Sequence, residues 1–167
     1  NGPFATLGGY ADVLSALAAE TPGLAISLAL GAPGITDEAL DTWRDHASAA
    51  HDALDEPISG RYEDVFVLRV DTDRPAALPT VARLAARFRS PEPVALVVTA
   101  DPVNGQRHAA AAAAAAADDP RSLADAFASV ATEFGGTAGG TPTRATISVD
   151  GDVSDGDLIA AVREVLG

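Results

Sequence analysis

Two short, nearly unbroken apolar runs, Asp64 to Val70 and Val94 to Thr99, bracket an amphipathic segment from Pro79 to Arg89. This succession constrains the fold more than any other feature of the chain. Short runs dominated by valine and leucine suit strands buried on both faces. A helix between two such strands supplies the crossover that parallel pairing requires. Val81, Leu84, Ala85 and Phe88 share one side of that helix, and Pro91-Glu92-Pro93 and Asp101-Pro102 delimit the second strand.

The pattern continues downstream. Leu123, Ala126, Phe127, Val130, Ala131 and Phe134 form an apolar stripe on a helix beginning near Ser122. Arg144 to Val149 alternates as a half-buried strand, and Ser154 caps a last helix carrying Leu158, Val162 and Val165. Between them lies Ala109 to Ala117. Propensity alone would make this run helical, but Asp118-Asp119-Pro120 closes it at once and the sheet needs another strand here. A strand is therefore expected. The predicted class is α/β: a small mixed β-sheet domain flanked by helices, residues 59–167, ordered β-α-β-alanine run-α-β-α.

Before this domain, a helical pattern from Tyr10 to Glu20 stops at Thr21-Pro22-Gly23. Leu24 to Leu30 fits a short helix or a buried strand equally, and Gly31-Ala32-Pro33-Gly34 breaks the chain. Thr36 caps a long helix with Asp37 and Glu38 at its positive end and a narrow stripe of Leu40, Trp43, Ala47, Ala50 and Leu54. We read residues 1–35 as the edge of a second, upstream domain and residues 36–58 as a connecting helix, with a boundary near Glu56 to Gly60. The chain starts at Asn1 and has no methionine, so a piece of a longer protein is expected.

The formal charge is −13, from 24 acidic and 11 basic residues; every basic residue is arginine, and aspartate outnumbers glutamate 17 to 7. Such a balance resembles proteins of salt-loving archaea, in which salt screens self-repulsion and carboxylates keep the surface hydrated. The acidity then does not argue against a nucleic-acid partner. Zero cysteine excludes disulfides, thiol catalysis and cysteine-ligated metals. No apolar run is long enough to span a bilayer, so no membrane partner and a cytoplasmic location are expected.

Chemistry-bearing clusters are few. His46 and His51, about 140° apart on one helix, cannot share a metal and are expected on a solvated surface. His108 is isolated beside the alanine run. Asp71 and Asp73 follow a buried strand, where α/β sites lie, although a solvated turn explains them equally. Asp150, Asp152, Asp155 and Asp157 lack the glutamate that completes a calcium loop and read as a capped helix start. No catalytic residue and no metal ligand is therefore assigned, and no cofactor is expected in this chain.

The segment Gly135-Gly136-Thr137-Ala138-Gly139-Gly140-Thr141-Pro142 joins a helix to a strand. As a loop, it would leave backbone N–H groups open to an anion. Arg144 begins the outward face of the strand that follows, where a guanidinium can add charge. Arg83, Arg87 and Arg89 cluster near a helix C-terminus, where they either compensate the dipole or track a phosphate chain.

Phe127 to Val149, with Glu133-Phe134-Gly135-Gly136 and Gly139-Gly140-Thr141-Pro142, resembles the C-terminal, DHH-associated domain of RecJ-like phosphoesterases. Upstream, Leu14 to Gly31 is similar to the close of the catalytic half in archaeal members. The resemblance implies a loop that holds nucleic-acid phosphate, and manganese bound by a catalytic half of the full-length parent. The Asp-His-His signature is absent, Thr141 stands where the family loop has histidine, and Ser15 to Glu20 lacks the expected asparagine and arginine.

These departures favour a single-strand-binding portion of a RecJ-like, DHH-family protein of DNA replication or repair, without catalytic motifs of its own. The inactive branch of the superfamily binds GINS, which becomes a candidate partner. The implied contacts are Gly136, Thr137, Gly139, Gly140, Thr141, Thr143 and Arg144, with Arg83 and Arg87. One alternative is the substrate-binding half of an active manganese-dependent single-strand exonuclease. Another is a structural replisome interaction domain in which the Trp43 stripe meets a partner helix.

Overall fold

The computed structural model describes residues 3–114 and 122–166. The chain divides into two compact units, Asn1–His51 and Asp52–Gly167.

The first unit is helical. Helix α1 (Leu7–Glu20) is capped by the Thr6 hydroxyl, which accepts from Gly9 N at 3.1 Å. Thr21 ends it, and Pro22 opens α2 (Pro22–Ala29) in the first turn, where its missing N–H costs nothing. The apolar run from Leu24 is thus helical. Helix α3 (Thr36–Asp52) follows. Val13, Leu17, Ala25 and Ala39 form the unit's core, and Trp43 packs against it. The Trp43 stripe is therefore at least partly spent inside its own unit. His46 corrects the expectation of a solvated surface: it is 5% exposed, and its Nδ1 lies 2.9 Å from Glu20 Oε1. His51 is exposed.

The second unit is a six-stranded mixed sheet flanked by helices. Its elements run β1 (Ile58–Tyr62), β2 (Val65–Val70), α4 (Leu78–Phe88), β3 (Val94–Thr99), β4 (Gln106–Ala113), α5 (Leu123–Phe134), β5 (Thr137–Thr141), β6 (Arg144–Asp150) and α6 (Asp155–Leu166). The spatial order is β1-β2-β3-β4-β6-β5. Only β2 and β3 are parallel, bridged by α4; the other neighbours are antiparallel. Residues Ala109 to Ala113 of the alanine run lie in the central strand β4, while Ala115 to Pro120 lies outside the described residues.

Alternation along each strand sorts side chains to two faces. One face carries Val65, Val67, Leu96, Val98, Ala109, Ala111, Ala145, Ile147 and Val149, packed under α5 and α6 with Phe127 fully buried at the centre. On the opposite face, α4 packs over β3 and β4 through Leu78, Val81, Ala82 and Ala85. Strand β4 is sandwiched between helices on both sides, and alanine's small side chain suits that close approach.

Candidate functional site

Helix α4 covers only part of its face of the sheet. Beside it, the outward positions of β5 and β6 (Thr137, Gly139, Thr141, Arg144 and Thr146) are all exposed, and Ser148 is half-buried. Register sets them in pairs: Thr141 opposite Arg144, Gly139 opposite Thr146, Thr137 opposite Ser148. Strand β4 adds Gln106 and His108, the latter opposite Ser148. The result is an open platform of hydroxyls, an amide, an imidazole and one guanidinium, with no phenylalanine, tyrosine or tryptophan at these positions.

The glycine segment is a strand where a loop is expected. Gly135 ends α5 in the left-handed conformation, φ 70°, and Gly136 N donates to Ala131 O at 2.8 Å. A Cβ on Gly136 would come closer than 3.0 Å to Ser148 O and 2.8 Å from Val149 Cγ1. A Cβ on Gly140 would likewise invade Arg144 O and sit 2.7 Å from Ala145 Cα. These two glycines let β5 press against β6. Gly139 differs, since a Cβ there would meet nothing within 4 Å. The turn at Pro142 and Thr143 is pinned, its carbonyls accepting from Leu123 N at 2.9 Å and Ala113 N at 3.0 Å.

The expected array of free N–H groups is accordingly thinned. Gly136 N is spent on α5. The pairs closed by the turn put Thr137, Gly139 and Thr141 in hydrogen-bonded positions against β6. Alternation leaves Ala138 and Gly140 with N–H and C=O directed off the sheet edge. Strand β5 is an edge strand, exposed at all five residues.

Arg144 projects from the exposed side of β6, and its side chain has no ion pair or hydrogen bond among the described residues. Arg83 and Arg87 are exposed on α4, so they occupy the same side of the sheet as Arg144; Arg87 lies over the Phe88 ring at 5.2 Å. Arg89 is instead tied to Leu54 O at 2.7 Å. The structure thus sets Thr137, Gly139, Thr141 and Arg144 together, with Gly136, Gly140 and Thr143 shaping the backbone and Arg83 and Arg87 on the neighbouring helix.

Gln106, His108, Thr146 and Ser148 were not among the expected contacts. The even-numbered outward positions of β6 already placed Thr146 and Ser148 beside Arg144; the two β4 residues become visible only through register. Ser148 Oγ donates to Gln106 Oε1 at 3.0 Å. His108 N donates to Thr99 Oγ1 at 3.2 Å, and burial pushes its imidazole pKa below 6.5, partly opposed by a backbone hydrogen bond to Val103. Arg107, on the other face and 6% exposed, donates to Thr99 O, Ala100 O and Val153 O at 2.6–2.7 Å. It locks the end of β3 to the connection before α6.

The aspartates have local work. Asp150 Oδ1 accepts from Asp152 N, Ser154 caps α6 by accepting from Asp157 N at 3.0 Å, and Asp155 pairs with Arg69. Among the described residues no group of three His, Asp or Glu side chains could hold a metal, and no helix is long and apolar enough to cross a membrane.

This arrangement recurs among solved structures. The chain is similar to the C-Ala domain of Aquifex aeolicus alanyl-tRNA synthetase, with TM-score 0.51 and 13% identity over 65% of this chain and 97% of that one. It is also similar to the pGpG-specific phosphodiesterase PggH from Vibrio cholerae, with TM-score 0.52 and 12% identity over 96% of this chain and 59% of that one. The chain belongs to the family described as the C-terminal domain of uncharacterized protein rrnAC1427, whose model matches residues 57–164. The Haloarcula marismortui protein of that name is 48% identical over 167 residues, 99% of this chain. The chain spans 41% of that relative's length.

Proposed function

We propose that this chain is the single-strand-binding part of a RecJ-like, DHH-family protein. The carrying observation is the open β5–β6 platform, in which Arg144 stands without an ion pair among the described residues of a chain holding 24 carboxylates. A sugar-phosphate strand laid along β5 would meet Arg144 as its charge, the Thr137, Thr141, Thr143 and Thr146 hydroxyls as neutral partners, and the outward N–H groups of Ala138 and Gly140. Gly139 leaves the middle of the platform low. Arg83 and Arg87 would approach from α4. With no phenylalanine, tyrosine or tryptophan on the platform and the His108 imidazole half-buried, the backbone is gripped and the bases are not stacked.

Of the two neighbours in fold, one is a domain of a tRNA synthetase and the other a phosphodiesterase for pGpG, and both descriptions fit a nucleotide-phosphate ligand. For the whole protein we propose a role in replication or repair, with GINS as a partner. The test is titration of a labelled single-stranded oligonucleotide at several salt concentrations. Arg144→Ala is expected to weaken binding and lower the salt slope by about 0.7, the share of one phosphate contact on a single strand. Unchanged affinity and slope would sink the assignment.

A further inference from the structure

At the opposite edge of the sheet, and on its other face, the Arg163 guanidinium of α6 lies 3.9 Å from the centroid of the Tyr62 ring. Tyr62 folds back along β1, its Cε2 3.1 Å from where a Cβ on Gly60 would stand. The ring is therefore held between the backbone at Gly60 and the guanidinium. Ile58, on the same face of β1, is 66% exposed and continues the strip.

The arginines of this unit mostly have fixed partners. Arg61 pairs with Glu92, Arg69 with Asp155, Arg89 bonds Leu54 O, and Arg107 bonds three carbonyls. Arg163 has no carboxylate or carbonyl partner among the described residues. Its Nε is buried without a hydrogen-bond partner, and the two Nη groups, also unpartnered, are not buried. A guanidinium stacked on an aromatic ring has lost much of its freedom already, so it binds a planar or tetrahedral oxyanion at reduced entropic cost. Its terminal fork matches two oxygens of one carboxylate or phosphate.

We propose that Arg163, stacked on Tyr62, is an oxyanion-binding site that takes the carboxylate or phosphate of a ligand whose apolar part covers Ile58. It lies apart from the β5–β6 platform and does not depend on that platform binding anything.

The experiment follows the arginine side-chain N–H resonances of the whole chain during separate titrations with inorganic phosphate and with isovalerate, at constant chloride. The Arg163 Nε–H signal is identified by its loss in Arg163→Lys. It is expected to shift saturably with at least one anion, with Arg87 and Arg144 moving at least tenfold less. Saturation by isovalerate, alone or more tightly than by phosphate, supports the site with its apolar cover; saturation by phosphate alone overturns the placing of an apolar group over Ile58. Tyr62→Leu, which removes the stacked ring and keeps an apolar side chain, is expected to weaken the response at least fivefold while far-UV circular dichroism stays unchanged. A linear, unsaturable shift with both anions, or equal shifts at Arg87, would overturn the proposal. So would an undiminished response in Tyr62→Leu.

Discussion

Gly139 and Gly140 are adjacent in sequence, yet the structure predicts opposite results when each gains one methyl group. At Gly140 the new carbon would overlap Arg144 O and sit 2.7 Å from Ala145 Cα, both backbone atoms of β6. Strand β6 cannot yield, because β4 holds it on the other side through Ala112 opposite Arg144 and Ala111 opposite Ala145. The end of β5 must therefore swing out and lose the Thr141–Arg144 pairing. Two ladder hydrogen bonds at about 1 kcal/mol each, plus residual strain, give a cost of about 2–3 kcal/mol. At Gly139 the methyl meets open space, and relief of glycine's backbone entropy stabilises by about 0.5–1 kcal/mol. The two variants should thus differ by about 3 kcal/mol, roughly a hundredfold in the folding equilibrium. Urea unfolding read by circular dichroism, with amide exchange at Thr137 and Thr141 to detect local release of β5, measures the difference. Equal stability and equal exchange in the two alanine variants would refute the packing described for this hairpin.

Arg107→Met keeps most of the side-chain volume and removes the donors to Thr99 O, Ala100 O and Val153 O. A loss of about 3–5 kcal/mol is expected in the same denaturation assay, because buried carbonyls lose their partners; a loss below 1 kcal/mol would contradict that role. His108 supplies a pH signature. Its folded-state pKa lies below 6.5, so the unfolded chain takes up the proton first. The resulting destabilisation begins as pH falls through about 6.5 and is complete below the folded pKa. His108→Gln should remove that component of the pH dependence between pH 7 and 5, and superimposable wild-type and variant profiles would exclude it.

How far the fold was legible depended on how each segment makes its contacts. Strands β2 and β3 announce themselves because both faces are buried, which forces continuous apolar runs. The helices α5 and α6 are legible from their stripes and from the Ser122 and Ser154 caps. Edge strands are different. Strand β1 reads Ile-Ser-Gly-Arg-Tyr and β5 reads Thr-Ala-Gly-Gly-Thr, and neither shows a clean apolar alternation because one side of each has no neighbour. The glycines between α5 and the turn at Pro142 looked like loop residues, whereas Gly136 and Gly140 serve close approach to β6. Central strand β4 shows tertiary context overriding helix propensity: Ala110 and Ala111, buried at 0% and 2% exposure, are held between two helical layers. His46 was misread because its partner, Glu20, lies 26 residues away, a pairing that no periodicity along α3 can display.

The proposed contact set was legible only where side chains alternate along β6. Arg144, Thr146 and Ser148 follow from the period of two, but the addition of Gln106 and His108 needs the antiparallel register with β4. The positions of Arg83 and Arg87 on the same side of the sheet follow from α4 bridging parallel strands, a topology the sequence suggested without fixing the face.

The most direct test of a backbone-binding β5–β6 platform is a backbone amide chemical-shift map of the whole chain on addition of a short single-stranded oligonucleotide of mixed sequence. The account predicts saturable shifts concentrated at Ala138, Gly139, Gly140, Arg144 and Thr146, weakened by Arg144→Ala and insensitive to base composition. Saturable shifts confined to other elements, or none at a concentration where the oligonucleotide is shown to bind, would contradict it.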